Sequence, residues 1–265
     1  MIEKILKTEE YEIFYRVTGT GKPVVFIHGF GEDGNIWDSL ISDLHNQFLC
    51  IIPDLPGSGK SIMKKAGWSM EGLADSIKSI LDQEEISTAV MIGHSMGGYI
   101  TLAFAEKFGE RLVGFGLFHS SAFADNAEKK ATRKRGIQFI NQYGAAKFLE
   151  QATPNLFSDE FKNKHPAAVQ EIIARYTNFQ ANALVHYYEA MMQRSDRTHV
   201  LKGYQGPVLF VLGEQDAAIP LTDGLQQCHM PALSYIHILR NSGHMGMIEE
   251  RDKCRELLQK FLQDQ

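Results

Sequence analysis

Gly93-His94-Ser95-Met96-Gly97-Gly98 follows the apolar run Ala89-Val90-Met91-Ile92 and opens a helical pattern over Met96–Phe108. The reading of this stretch decides the fold. A serine between a strand and a helix, with glycine two residues before it and two after, sits on a sharp turn. The turn needs an unfavourable backbone conformation and brings the two flanking positions together, so both must be small. Gly93 and Gly97 meet that need, and Gly98 lets the helix approach the sheet. The hydroxyl is left exposed at a helix N-terminus, where the dipole favours negative charge. A merely tight glycine-rich turn has the same local signature, so the rest of the chain must supply partners for Ser95.

Further short apolar runs lie on either side: Val24–Ile27, Phe48–Ile52, Leu112–Phe118 and Val208–Leu212. Each ends near Gly, Pro or Asp, the pattern of buried parallel strands. Ile13 and Tyr15 alternate with polar neighbours and predict an edge strand near the start, and Tyr235–Leu239 is also strand-like. Helical patterns over Ile36–Leu44, Met70–Leu81, Met96–Phe108 and Cys254–Leu262 fall between the runs. The alternation predicts an α/β fold with helices on both faces of the sheet. Glycine is uneven: of 23, only Gly136, Gly144 and Gly203 lie between 121 and 203. There Val169, Ile172, Ile173 and Tyr176, then Leu184, Tyr188, Met191 and Met192, follow helical spacing, which predicts a mainly helical insertion.

A serine needs a base, and the base needs an orienting acid, in the chain order Ser, acid, His. Asp216 closes Gly213-Glu214-Gln215-Asp216 after the last long apolar strand and is preferred to Glu214, which lies nearer the strand. His244, in Asn241-Ser242-Gly243-His244, follows Asp216 by 28 residues. His94 adjoins Ser95 and should point away from the site. His45 should decorate a helix surface, while His119, His165, His186, His199, His229 and His237 have no matching context. An anionic intermediate needs donors. The Met96 backbone N–H and the Phe30 N–H of His28-Gly29-Phe30-Gly31 are the candidates.

Two other glycine clusters imitate nucleotide motifs. Gly29-Phe30-Gly31-Glu32-Asp33-Gly34 matches G-x-G-x-x-G, and Asp54 follows Gly34 by 20 residues. A preceding strand and the adjacent His28 argue against a dinucleotide, and the donor loop accounts for the same glycines. Gly57-Ser58-Gly59-Lys60-Ser61 resembles the end of a phosphate loop. Asp54 stands where the first glycine belongs and Pro56 removes an N–H, so a plain turn is expected. No metal or organic cofactor is expected.

Composition sets the outer bounds. The 265 residues are 44% hydrophobic and 22% charged, with 27 basic against 32 acidic side chains and a net charge of −5. These values argue against disorder, a membrane bundle and a nucleic-acid binder. No apolar stretch suited to a signal peptide follows Met1, and the most apolar run, Leu112–Phe118, is too short to span a bilayer. Cys50, Cys228 and Cys254 are odd in number and widely spaced, which fits thiols in a reducing cytosol, so a cytoplasmic location is expected. Residues 121–203 carry 12 basic and 8 acidic side chains, the remainder 15 and 24. The basic run Lys129–Arg135 is expected to be a solvated helix face, with attraction of an anionic substrate as the competing reading.

Together, His28-Gly29-Phe30-Gly31 with Trp37, Asp54–Ser61, Gly93–Gly98, Gly213–Pro220 and Gly243-His244 with Glu249 resemble the α/β-hydrolase superfamily. The resemblance implies an α/β-hydrolase fold: a mostly parallel eight-stranded sheet with a helical cap inserted after the sixth strand. The core would be 1–120 and 204–265, the cap 121–203. It implies Ser95, Asp216 and His244 as a catalytic triad and Phe30 and Met96 as the oxyanion hole. Haloalkane dehalogenases and epoxide hydrolases carry Asp at the elbow, so Ser95 argues against both. Haloperoxidase-like esterases have a bulky aromatic residue near the oxyanion loop or after the nucleophile; Phe30 fits the first position and Met96 does not fit the second. The implied activity is that of a serine hydrolase cleaving small carboxylic esters through an acyl-enzyme, with no cofactor. A carbon–carbon bond hydrolase, a lactonase or a hydroxynitrile-lyase-like enzyme would use the same triad. A small-molecule receptor with a hydrolase fold is the alternative of another class, and the complete triad argues against it. Phe123, Phe139, Tyr143, Phe157, Tyr176, Phe179, Tyr187, Met191 and Met192 are candidates for a pocket lining, though their spacing also suits the insertion's own core.

Overall fold

The computed structural model describes all 265 residues. Its strands are β1 (Ile2–Lys7), β2 (Tyr11–Thr18), β3 (Lys22–Ile27), β4 (Phe48–Pro53), β5 (Ile62–Met63), β6 (Ala89–His94), β7 (Leu112–Phe118), β8 (Pro207–Gly213) and β9 (Leu233–Leu239). They form one sheet in the order β1-β2-β4-β3-β6-β7-β8-β9, with β5 on β2. From β4 across to β9 every pairing is parallel, whereas β1, β2 and β5 pair antiparallel. The expected eight strands are the main path, and the two-residue β5 beside Tyr11 and Glu12 makes a ninth.

One strand expectation fails. The segment holding Ile13 and Tyr15 is not an edge, because β1 covers its outer side. β1, Ile2-Glu3-Lys4-Ile5-Leu6-Lys7, is largely exposed, and its three charges interrupt Ile2, Ile5 and Leu6, so it shows neither strict alternation nor a continuous apolar run. Charged side chains on an edge strand discourage pairing with other chains, which gives that composition a physical reason.

Two apolar cores flank the sheet. On one face Leu73, Ile77, Ile80, Ile100 and Phe104 of the helices Met70–Gln83 and Met96–Phe108 are buried. On the other, Leu40, Ile41, Leu257, Leu258 and Phe261 of the helices Asp38–Leu44 and Arg251–Gln263 pack with Phe26 and Trp37. Between β7 and β8 the regular structure is all helical: Ala127–Tyr143, Ala145–Ala152, the 3-10 turn Thr153–Leu156, Asp159–Lys164, Pro166–Arg175, Ala181–Gln193 and Thr198–Gly203. No helix is long and apolar enough to cross a membrane.

The Asp54–Ser61 turn joins this helical segment to the sheet. The buried Asp54 carboxylate accepts from Gly34 N–H at 2.9 Å and Lys60 N–H at 2.8 Å, drawing two glycine-rich loops together. The Gly34-to-Asp54 spacing that imitated a dinucleotide motif therefore closes a loop contact. The Tyr187 hydroxyl donates to the Pro56 carbonyl at 2.7 Å and lies 2.8 Å from Ser58 Oγ. In the basic run, Lys134 and Arg135 are exposed, as a solvated face requires, while Lys129 and Lys130 are half-buried and Lys129 lies 3.5 Å from Asp223. Arg133 departs from it, turning inward to pair with Asp125 at 2.6 Å beside the Tyr188 ring.

Candidate active site

In an open parallel sheet, ligand-handling residues gather beyond the C-terminal ends of the strands. Ser95 follows β6, His119 follows β7, and Asp216 and His244 stand in the loops after β8 and β9. Parallel pairing of these four strands brings all four residues to one end of the sheet.

Ser95 adopts φ +51° and ψ −115°, a conformation that non-glycine residues rarely occupy. Its N–H donates to the Phe118 carbonyl at 2.9 Å, and Ser120 Oγ donates to its carbonyl at 2.7 Å. A Cβ at Gly93 would run into the Gly97 backbone, and one at Gly97 would stand 2.8 Å from the His28 carbonyl oxygen. Both glycines are thus needed for the close approach that the turn creates. Ser95 is partly exposed, unlike its buried neighbours Met96 and His94.

His244 Nδ1 donates to Asp216 Oδ2 at 2.8 Å. Asp216 Oδ1 accepts from the Ala218 and Ile219 N–H groups at 2.9 and 2.8 Å. Burial by itself would raise the Asp216 carboxyl, but the His244 charge and the hydrogen bonds from His119 and His244 outweigh it and hold Asp216 far below the usual carboxylate range. Burial acts on His244 in the lowering sense; Asp216, with Glu32 and Glu249, overcomes it and moves the imidazole above its ordinary 6.5. The loop is pinned independently. His244 N–H donates to the Leu156 carbonyl at 2.7 Å, and the Glu249 carboxylate accepts from Gly243 and Met245 N–H at 2.9 and 3.1 Å. No hydrogen bond joins Ser95 Oγ to His244 Nε2. Such catalytic contacts are often long until a substrate is bound.

The N–H groups of Phe30 and Met96 have no acceptor within the protein. Glu32 sets the first of them. Its buried carboxylate accepts from Gly29 N–H at 2.7 Å and pairs with His94 Nδ1 at 2.9 Å. Burial opposes the charge on Glu32, but His94 and the Gly29 N–H outweigh it and lower its pKa. His94 Nε2 lies 3.0 Å from the His244 carbonyl oxygen. His94 makes no bond to the serine hydroxyl, in keeping with its expected direction, and braces the backbone of His244.

Ser95, Asp216, His244, Phe30 and Met96 all follow strands at the same end of the sheet, and Glu214 is exposed. Two participants escaped the sequence reading. His119, given no role there, places Nδ1 3.1 Å from Asp216 Oδ2. Its position directly after an apolar strand, the rule that selected Asp216 and His244, was a usable signal. Glu32 had no such signal beyond its place in the first glycine cluster. His119, Asp216 and His244 are also the one group with metal-ligand spacing, their candidate atoms lying within 4.8 Å of one another. The Asp216 oxygens already accept four N–H groups, and both imidazoles use their Nδ1 hydrogens as donors, so this donor set fits a hydrogen-bond cluster and not a cation.

A cavity of about 90 Å³ adjoins the site, walled by Phe30, Phe148, Leu149, Leu156, Tyr188 and Met245 among others. Phe30 stacks on Tyr188 with ring centroids 4.2 Å apart, and Phe148 meets Tyr188 edge-on at 5.8 Å. Of the side chains put forward for a pocket, only Tyr176 lines this cavity. Phe157, Tyr187 and Met191 belong to the apolar cores, and Tyr143 is exposed. Neither this cavity nor the larger clefts of about 400 and 570 Å³ is lined by Ser95, Asp216 or His244, but the cavity borders Phe30 and Met245, next to the site, and those clefts do not.

The sequence matches the family model for the alpha/beta hydrolase fold over residues 22–251, and the chain belongs to that family. It is similar to a putative carbamate hydrolase, RutD, of Pantoea ananatis, at 24% identity over 96% of this chain and 94% of that one. Among solved structures, a thermophilic esterase from Thermogutta terrifontis aligns with TM-score 0.93 and 26% identity, covering 100% of this chain and 99% of the other. The enol-lactonase of Burkholderia xenovorans LB400 shares the fold at TM-score 0.91 and 21% identity, over 98% and 100% of the two chains.

Proposed function

We propose that the protein hydrolyses small carboxylic esters through an acyl-enzyme on Ser95. The observation that carries this reading is the Asp216–His244 hydrogen bond at the same sheet end as a serine held at φ +51°. His244 Nε2 takes the Ser95 proton as Oγ attacks the carbonyl carbon. The Phe30 and Met96 N–H groups hold the resulting oxyanion, aided by the N-terminus of the helix Met96–Phe108. Collapse of this intermediate breaks the ester C–O bond, and His244 returns the proton to the leaving alkoxide. Water, deprotonated by His244, then releases the acid and restores Ser95. Asp216 holds the Nδ1–H tautomer and balances the imidazolium charge. Residues 121–203 act as a cap over a core of 1–120 and 204–265.

The acyl chain is assigned to the cavity beside Phe30. Its volume of about 90 Å³ is below the roughly 150 Å³ of an apolar cavity that admits benzene, so it favours a short aliphatic chain over a ring. A p-nitrophenyl ester series tests this. Turnover should peak at acetate to butyrate and fall steeply by octanoate. Phe148→Ala should raise the octanoate-to-butyrate ratio of kcat/KM by about tenfold or more. A flat chain-length profile, or cleavage confined to lactones, would overturn the assignment.

The same chemistry fixes a pH dependence. The base must be neutral, and its pKa is raised above 6.5 by Asp216, Glu32 and Glu249. Log kcat/KM should therefore fall with unit slope as pH drops through that raised value, placing the acid limb above pH 6.5. An acid limb at or below pH 6 would contradict His244 as the base.

A further inference from the structure

We propose that His119 is a positioning residue that shares the Asp216 carboxylate with His244 and thereby limits how strongly Asp216 holds a proton on the base. The proposal deepens the ester-hydrolysis reading and rests on it.

His119 is fully buried, at φ +49°, a backbone conformation costly for a residue with a Cβ. Its Nδ1 lies 3.1 Å from Asp216 Oδ2, the oxygen that His244 Nδ1 reaches at 2.8 Å. Its Nε2 is buried with no partner. The ring also demands space from its neighbours. A Cβ at Gly246 would overlap Nε2, and one at Gly213 would stand 3.0 Å from Cε1. An apolar ring would fill this volume without an orphaned nitrogen, so packing alone gives no reason for histidine. The bond to Asp216 gives one.

Asp216 as a carboxylate only accepts, so His119 carries its hydrogen on Nδ1 and leaves Nε2 bare. Burial keeps the ring neutral, its pKa lowered to about 4 even with Asp216 opposing that shift. The groups facing the cluster are Asp216, His244 and His94, with Glu32 and Glu249 acting on His244. A neutral donor on Oδ2 stabilises the ionised carboxylate and draws charge away from the His244 contact. Loss of that donor leaves Asp216 more basic and raises the proton affinity of His244.

The test uses the full chain. His119→Phe fills the site without a donor, and His119→Asn retains an N–H near the Nδ1 position. Imidazole nitrogen NMR of the wild type should show His119 protonated on Nδ1 and bare at Nε2 between pH 5 and 9. In His119→Phe, the His244 titration midpoint and the acid limb of kcat/KM for p-nitrophenyl butyrate should both rise by about 0.5–1 in pH. His119→Asn should keep both near wild type. An unmoved midpoint in His119→Phe, an equal rise in both variants, or a hydrogen on wild-type His119 Nε2 would overturn the proposal. The wild-type tautomer needs no variant, so failure of His119→Phe to fold does not shield the idea. The titration is read without substrate, so a protein that cleaves no ester would sink the reaction reading separately.

Discussion

Ser95→Ala is expected to lower kcat/KM for p-nitrophenyl acetate by about 10⁴-fold or more, to the level supplied by binding and the oxyanion donors alone. Such a loss corresponds to about 5.5 kcal/mol of transition-state stabilisation, far above what a lost surface contact provides. The size follows from the geometry. Ser95 is the one hydroxyl held at the strained turn, with the free Met96 N–H directly after it. Alanine keeps the Cβ and the turn, so the fold should survive, and an unchanged circular dichroism spectrum separates lost chemistry from lost structure. Labelling by a fluorophosphonate should likewise vanish in the variant. Wild-type turnover by Ser95→Ala would refute the assignment of the nucleophile.

Asp216→Asn should cost about 10⁴-fold in kcat, because the base would be held in the wrong tautomer. Here the damage extends to stability. Oδ2 accepts from two histidines and Oδ1 from two backbone N–H groups. An asparagine NH2 turned to the Ala218 and Ile219 N–H groups leaves both without an acceptor, and turned to the histidines it forces both rings to carry the hydrogen on Nε2, which for buried His119 has no acceptor. Either way a buried donor is left unsatisfied, at about 1–3 kcal/mol. Urea unfolding should show that loss as a lower midpoint with an unchanged slope. A variant with kcat within tenfold of wild type would remove Asp216 from the orienting role.

The two predictions draw on different amounts of sequence information. The elbow at Ser95 was legible because its determinants are local: a strand, a helix, and two glycines at fixed offsets. Asp216 and His244 were legible because parallel strands deliver their following loops to one end of the sheet. The helical nature of 121–203 followed from scarce glycine and helical spacing. Conversely, β1 carries no strand period in its sequence, because Glu3, Lys4 and Lys7 break up Ile2, Ile5 and Leu6 on an exposed edge. The Ile13–Tyr15 strand was consequently placed one position too far out.

The sequence by itself determined the strand–helix alternation, the place of the strained Ser95 turn, and the chain order of Ser95, Asp216 and His244. These depend on backbone sterics and on hydrophobic periodicity, both of which act over a few residues. Tertiary structure alone decided that His119 and His244 meet the same carboxylate oxygen, and that Glu32 braces both the Phe30 loop and His94. It also decided that Tyr176, Phe148 and Tyr188, and not most of the aromatic side chains at similar spacing, wall the cavity beside Phe30. Those choices arise where segments far apart in the chain pack together. Burial there leaves each polar group dependent on whichever partner the fold brings within hydrogen-bond reach.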